Sequence, residues 1–257
     1  MKDINIYRKK KNNNNNKMTN NLDNIMYVNL NDYEKNTLPY DKALIYDKRT
    51  YFQYYCSLLR KKQLIMFTFF PSNDYNLVTI KICLLLLSFS LYFTLNGLFF
   101  FDSTMHKIFI NNGAYDFLIR IPQLIYSTLI TSIINTLLRL LSLTEENILR
   151  IKQEKQLTGS IKKSKEIQNC IKIKLCIFFI LSFVFLLFFY YFISCFCGVY
   201  KNTQIILIYD TLISFGLSMV YPFGTNLAPG IFRISALRDK NKNKKCLYKI
   251  SNLIALI

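Results

Sequence analysis

The sequence contains four long apolar segments separated by basic ones, and this alternation restricts the folds available to the chain. A segment of about 20 apolar residues is long enough to cross the roughly 30 Å of hydrocarbon in a bilayer. Backbone groups in lipid must be hydrogen-bonded within the segment, so all four are predicted to be helices. Pro222 and Pro229 are expected to bend or break the last one near its end. The predicted spans are residues 82–101, 117–143, 175–199 and 204–221.

The distribution of Lys and Arg predicts how these helices are oriented. Cytoplasmic loops of membrane proteins concentrate Lys and Arg. We therefore expect both termini and the connection between the second and third spans to be cytoplasmic. The number of Lys and Arg is seven in residues 41–81, one in 102–116, eight in 144–174, one in 200–203 and seven in 233–249.

The large positive charge indicates the class of partner. The chain has 257 residues, a formal net charge of +18 and 52% hydrophobic residues. Its basic clusters follow the edges of the predicted spans, which argues against nucleic acid and favours membrane lipid with anionic headgroups. A protein partner is the alternative to lipid at these clusters, and assembly with a second copy of the chain is a further possibility. The candidate lipid contacts are Arg60, Lys61, Lys62, Lys162, Lys163, Lys172, Lys174, Lys242, Lys244 and Lys245.

The composition changes along the chain predict three regions. Residues 1–40 are rich in Asn and Lys and are expected to be disordered. Residues 41–79 are basic and aromatic, and their run 64–70 is too short to cross, so we place it in the membrane interface. Residues 80–257 form the transmembrane domain, with a basic cytoplasmic loop at 144–174 and a basic tail. The predicted fold class is all-α, an integral membrane four-helix bundle with a disordered Asn/Lys-rich N-terminus.

Several short stretches carry a resemblance to known sequences. They are Asp102 to Lys107, Tyr200 to Gly216, Tyr221 to Gly224, and Pro229 to Arg233. From about Asp47 onward the chain resembles the membrane-spanning C-terminal regions of a family of protist proteins. The resemblance implies a multi-span membrane module and no particular chemistry.

Polar residues within the predicted spans are the candidate functional site. On the second span, Ser127, Thr128 and Asn135 belong to a polar half of the helical wheel that also contains Thr131, Ser132, Thr136, Arg139 and Ser142. Such a face either packs against other helices or lines a wet path. Asp210 is the one acidic residue within an apolar run, and Asn96, Ser127, Ser194 and Asp210 are predicted to form one polar layer. Asp210 either has a structural role, in which it pairs with Arg120 at the outer end of the second span or reaches water at the membrane surface, or it contributes to a pathway.

The sequence does not predict an enzyme. It lacks a P-loop and the GxGxxG, HExxH and GxSxG motifs, and its one His lies in a short outer connection. Its seven Cys match no zinc-site spacing. We expect no catalytic residue, cofactor or metal. The predicted function is a membrane anchor or assembly module whose basic loops contact anionic lipid or a protein partner. The alternative is a component of a transporter or channel that uses the polar face and Asp210.

Overall fold

The structure is a computed structural model, and it describes residues 30–70, 74–114, 116–152, 157–201, 203–239 and 244–255. Every regular element in these ranges is a helix, so the chain is all-α. In chain order the helices are α1 (Asp32–Thr37), α2 (Tyr40–Tyr46), α3 (Tyr51–Lys62), α4 (Leu64–Phe69), α5 (Val78–Leu98), α6 (Asp102–Ile110), α7 (Phe117–Ser142), α8 (Glu145–Lys152), α9 (Leu157–Val199), α10 (Gln204–Thr225), α11 (Leu227–Leu237) and α12 (Lys245–Ile254).

The chain divides into two compact units. The central unit runs from Leu58 to Leu227, and the terminal unit combines the chain up to Ser57 with the chain from Ala228 onward. The terminal unit therefore joins segments that are far apart in sequence. Each unit has its own buried core.

Within the described ranges, four helices are long and apolar enough to cross a membrane, and these are α5, α7, α9 and α10. They correspond in order to the four predicted spans. The first begins at Val78, a turn earlier than predicted, so Lys81 lies within it. The fourth continues through Pro222 to Thr225 and is followed by α11, which begins at Leu227. The break thus lies between Pro222 and Pro229, as the two prolines predict.

The segment 144–174, predicted to be a basic loop, is instead largely helical. Its described part consists of α8 and the first turns of α9, which continues without interruption to Val199. Residues 160–174 contain no Gly or Pro and several residues with good helix propensity, such as Lys, Glu and Gln. The charge pattern identifies the segment as polar but does not distinguish a loop from a helix.

Helix α5 lies at the centre of the central unit and packs against α7, α9 and α10. Its buried residues Ile80, Leu84, Leu87 and Leu91 recur every three or four positions, as one face of a helix requires. Near its end, a Cβ atom at Gly97 would lie 2.9 Å from a ring carbon of Phe192. Glycine therefore permits the close approach of α5 and α9. By contrast, most of the apolar surface of α9 remains exposed.

The terminal unit has a small core that includes Leu38, Tyr40, Ala43, Ala236 and Tyr248. Helix α1 begins with a reciprocal cap, in which Asn31 and Glu34 each accept a hydrogen bond from the other's backbone. The prediction that residues 1–40 are disordered is therefore wrong for α1. Residues 1–29 lie outside the described residues.

Candidate functional site: a buried polar cluster among the apolar helices

Asp210 lies at the centre of a polar cluster in the central unit. Its side chain on α10 is fully buried, and it forms an ion pair with Arg120 of α7, whose side chain is 3% exposed. Gln123 of α7 also donates to the Asp210 carboxylate, with its Nε2 atom 3.2 Å from Oδ2. One acid is thus held by two side chains of a neighbouring helix.

Helix α5 also contributes to the cluster, through Asn96. The Asn96 amide donates to the Ser214 hydroxyl at 3.1 Å and to the Asp210 backbone carbonyl at 3.4 Å. The backbone carbonyl of Asn96 accepts a hydrogen bond from Gln123 Nε2 at 3.0 Å. The cluster therefore connects α5, α7 and α10.

Helical spacing explains why these residues meet. Arg120 and Gln123 are three residues apart on α7, and Asp210 and Ser214 are four apart on α10, so each pair lies on one helix face. Asp116 is the N-cap of α7, and its side chain accepts hydrogen bonds from the backbone amides of Leu118 and Ile119. The cap lies four residues before Arg120, which is therefore in the first turn of the helix.

The charges of Arg120 and Asp210 neutralise each other, but some polar atoms of the cluster lack hydrogen bonds. The Arg120 guanidinium also lies 4.2 Å from the centre of the Phe100 ring, which favours the cation. Yet Nε and Nη1 of Arg120 and Oε1 of Gln123 are buried without a hydrogen-bond partner among the described residues. A buried ion pair of this kind adds little net stability, because the cost of desolvating both charges offsets their attraction.

The other residues of the predicted polar layer differ in their burial and in their hydrogen-bond partners. Ser127 is fully buried, and its hydroxyl bonds to the Leu124 carbonyl of its own helix. Thr128 bonds to the same carbonyl, and Asn135 reaches the Ser88 hydroxyl of α5 at 2.8 Å. Ser194 instead lies on an exposed side of α9 and bonds to the Tyr190 carbonyl. The structure thus brings Asn96 to Asp210 but leaves Ser194 out of the cluster.

The polar half of α7 is only partly covered. Ser127, Thr131 and Ser142 are buried, whereas Ser132 and Thr136 are exposed. The Thr136 hydroxyl bonds to the Ser132 carbonyl one turn earlier, so its polarity is satisfied within the helix. The hydroxyls of Ser127, Thr128, Thr131 and Thr136 therefore remain hydrogen-bonded within the helix without an aqueous path.

The predicted lipid contacts differ in exposure. Arg60, Lys172, Lys244 and Lys245 are exposed. Lys61 and Lys62 are half-buried, and burial lowers the pKa of each despite the attraction of Glu145 for Lys61. Lys174 is also half-buried and donates to the Leu143 carbonyl at 3.5 Å. Lys242 and the side chains of Lys162 and Lys163 lie outside the described part of the chain.

A second charged cluster, in the terminal unit, was missed by the sequence analysis. Arg233 of α11 is fully buried and forms an ion pair with Asp47 at 3.0 Å. It also donates to the carbonyls of Lys35 and Asn36 and to the Asn252 side chain. Asp47 further pairs with Arg49 at 2.8 Å. This Arg233 cluster links α1, α11 and α12 with the α2–α3 connection.

Two tyrosines complete the Arg233 cluster. Their rings lie 4.9 Å (Tyr54) and 4.7 Å (Tyr248) from the guanidinium carbon. Burial opposes ionisation of Asp47, but hydrogen bonds and charge from Arg49 and Arg233 outweigh it, so the pKa of Asp47 lies below its ordinary value. Burial raises the pKa of Tyr54 and Tyr248, although Arg233 acts in the opposite direction. The cluster therefore keeps Asp47 charged and both phenols neutral near neutral pH.

The acidic side chains of the two clusters are not grouped as metal ligands. Within the described ranges there is no group of three or more His, Cys, Asp or Glu side chains placed to hold a metal ion. Comparisons with protein-family models, with curated proteins and with solved structures found no match. Both clusters join helices through buried charge.

Proposed function

We propose that the chain is a multi-pass membrane anchor or assembly module, a four-helix bundle with both termini on the cytoplasmic side. Its basic segments contact anionic lipid or a protein partner. The observation that carries the proposal is the burial of Asp210, whose carboxylate is paired with Arg120 and bonded to Gln123. A charge used in this way joins helices instead of exchanging with solvent.

The exposed surface of the apolar helices supports the same proposal. On α9, Phe183, Tyr190 and Tyr191 are 63%, 76% and 70% exposed. Contiguous apolar surface of this extent is unfavourable in water and is typical of contact with lipid or a partner. The strict alternation of basic and non-basic connections supports the cytoplasmic orientation of both ends.

The topology has a direct test. Single cysteines at residues near 111, 158 and 242 would be labelled with a membrane-impermeant reagent in sealed vesicles. We expect position 111 to label from the side opposite to positions 158 and 242. Labelling of 111 and 158 from the same side would contradict the four-span arrangement.

The alternative function, a transporter or channel component, predicts a different response at Asp210. For an anchor, Asp210→Asn should weaken folding or assembly, and exchanging the charges (Arg120→Asp with Asp210→Arg) should restore much of the loss. For a pathway, Asp210→Asn should abolish flux while assembly stays normal, and the exchange should not rescue it.

The experiment measures solute flux and oligomer assembly in reconstituted vesicles for both variants and the parent. Asp116→Asn serves as a control, because this carboxylate is exposed and caps the start of α7. Flux that disappears with Asp210→Asn alone, in a normally assembled protein, would overturn the anchor proposal.

A further inference from the structure

The C-terminal helix α12 is held in a defined orientation by its buried side. The Tyr248 hydroxyl donates to the Leu38 carbonyl at 2.7 Å, and the Ser251 hydroxyl donates to the Pro229 carbonyl at 2.8 Å. Asn252 accepts from Arg233 at 3.0 Å. These three contacts involve different segments of the terminal unit, so the helix cannot rotate about its axis without losing them.

The opposite side of α12 is exposed and divided between charge and apolar surface. At about 100° per residue, Lys245 and Lys249 lie along one edge, and Leu253, Cys246 and Ile250 follow in the next 100° of the wheel. Leu253 is 62% exposed and Ile250 is 41% exposed. Part of the apolar surface of α12 is therefore not covered by the terminal unit.

The charge around α12 is mainly positive. Residues 240–257 contain five Lys and no Asp or Glu. Lys244, just before the helix, is 3.9 Å from Asp239, and Lys245 and Lys249 are exposed beside the apolar arc. An apolar stripe bordered by Lys matches an anionic bilayer surface, where rings and aliphatic groups enter the headgroup boundary and ammonium groups remain with the phosphates.

We propose that α12 docks on the surface of an anionic phospholipid bilayer through the stripe formed by Cys246, Ile250 and Leu253, with Lys245 and Lys249 at the headgroups. This inference rests on the proposed membrane function and assigns the lipid contact to one helix face. The last of the four long apolar helices, α10, ends at Thr225, and α12 begins 20 residues later at Lys245, so α12 belongs to the chain that directly follows a proposed membrane helix.

The test uses the full chain reconstituted in vesicles. A polarity-sensitive fluorophore is attached at Cys246, with the other six cysteines replaced by Ala. Lipids carrying a quencher in the upper acyl chain report depth. We expect a blue shift and strong quenching in vesicles that contain phosphatidylserine, and weaker quenching in phosphatidylcholine alone. Higher salt should reduce the quenching in the anionic vesicles.

Matched variants assign the effect to the stripe. Leu253→Glu should abolish the quenching, because a carboxylate would have to enter the apolar boundary of an anionic surface. Ile45→Glu makes the same change at a side chain of nearly equal exposure, 61% against 62%, on α2 of the terminal unit. It should leave the quenching unchanged. Loss of quenching in both variants would overturn the assignment to α12.

Other outcomes also decide the question. Equal quenching in both kinds of vesicle would overturn the electrostatic part of the proposal. No quenching in either, or energy transfer between labels on two copies that persists without anionic lipid, would overturn docking on lipid. Resistance of the same sample to alkaline extraction reports the proposed function separately. An extractable protein contradicts membrane insertion itself, whereas an integral protein with a solvent-exposed label contradicts only docking by α12.

Discussion

The two buried arginines of this protein occupy environments that differ in completeness. Arg120, in the central unit, is neutralised by Asp210, but its Nε and Nη1 atoms have no partner among the described residues. Arg233, in the terminal unit, donates to Asp47, to two backbone carbonyls and to Asn252. Neutralising a charge and satisfying its hydrogen bonds are therefore separate requirements, and only the Arg233 cluster meets both.

This difference implies different energetic consequences. Replacing both members of a buried ion pair breaks many hydrogen bonds where the network is fully bonded and few where it is incompletely bonded. We expect the terminal unit to depend strongly on its charged cluster. The central unit should depend mainly on the packing of α5 against α7, α9 and α10.

The largest predicted effect is at Asp47. Asp47→Ala would leave Arg49 and Arg233 buried beside each other without their shared acid. Breaking a buried ion pair in this way typically costs about 3–5 kcal/mol. The measurement is hydrogen exchange of the amides in α2, α11 and α12 of the full chain in detergent. Asp41→Ala, at an exposed acid of the same unit, should leave exchange unchanged. Unchanged protection in Asp47→Ala would contradict the importance of the cluster.

The second prediction concerns pH. Because the pKa of Asp47 is below its ordinary value of about 3.9, the folded state binds this proton more weakly than the unfolded state. The stabilisation is therefore fully present above about pH 4 and is lost as pH falls through the lowered pKa. The measurement is the thermal unfolding midpoint of the parent minus that of Asp47→Asn, from pH 7 to pH 3. This difference in midpoint should shrink below about pH 4. A difference that stays constant down to pH 3 would contradict the prediction.

The sequence predicted the long helices well because apolar length and composition are local properties. It also gave Arg120 as one alternative partner for Asp210, since an ionised acid in an apolar run must either pair with a cation or face water, but it did not decide between pairing and a pathway. Arg233 was counted instead among the basic residues of the tail. Its partner Asp47 is 186 residues away, and no local pattern distinguishes a buried arginine from an exposed one.

The helical character of segment 144–174 was missed for a related reason. Charge distribution predicts which side of a membrane a segment occupies, but helix formation depends on propensity and on continuity with α9. The outward stripe of α12 is also invisible without the fold. Its residues can be assigned to the uncovered side only after Tyr248 and Ser251 are known to face the terminal unit.

The smallest predicted effect directly tests the contrast between the two arginines. Replacing the central pair by apolar residues of similar size, Arg120→Met with Asp210→Leu, removes both charges and the unpartnered donors together. Such replacements are often neutral or stabilising, so we expect the free energy of unfolding to change by no more than about 1 kcal/mol. Asn96 retains its bonds to Ser214 and Gln123, which limits the loss.

The corresponding change in the terminal unit, Arg233→Met with Asp47→Leu, should be strongly destabilising. The carbonyls of Lys35 and Asn36 lose their donor, and Arg49 loses the nearer of its two acids and keeps only Asp32 at 3.4 Å. Unfolding in mixed micelles, followed by circular dichroism for the central pair and by hydrogen exchange for the terminal one, measures both. If the central replacement were as damaging as the terminal one, the hydrogen bonds of Arg120 would have to be more complete than its surroundings indicate, and the contrast between the two units would fail.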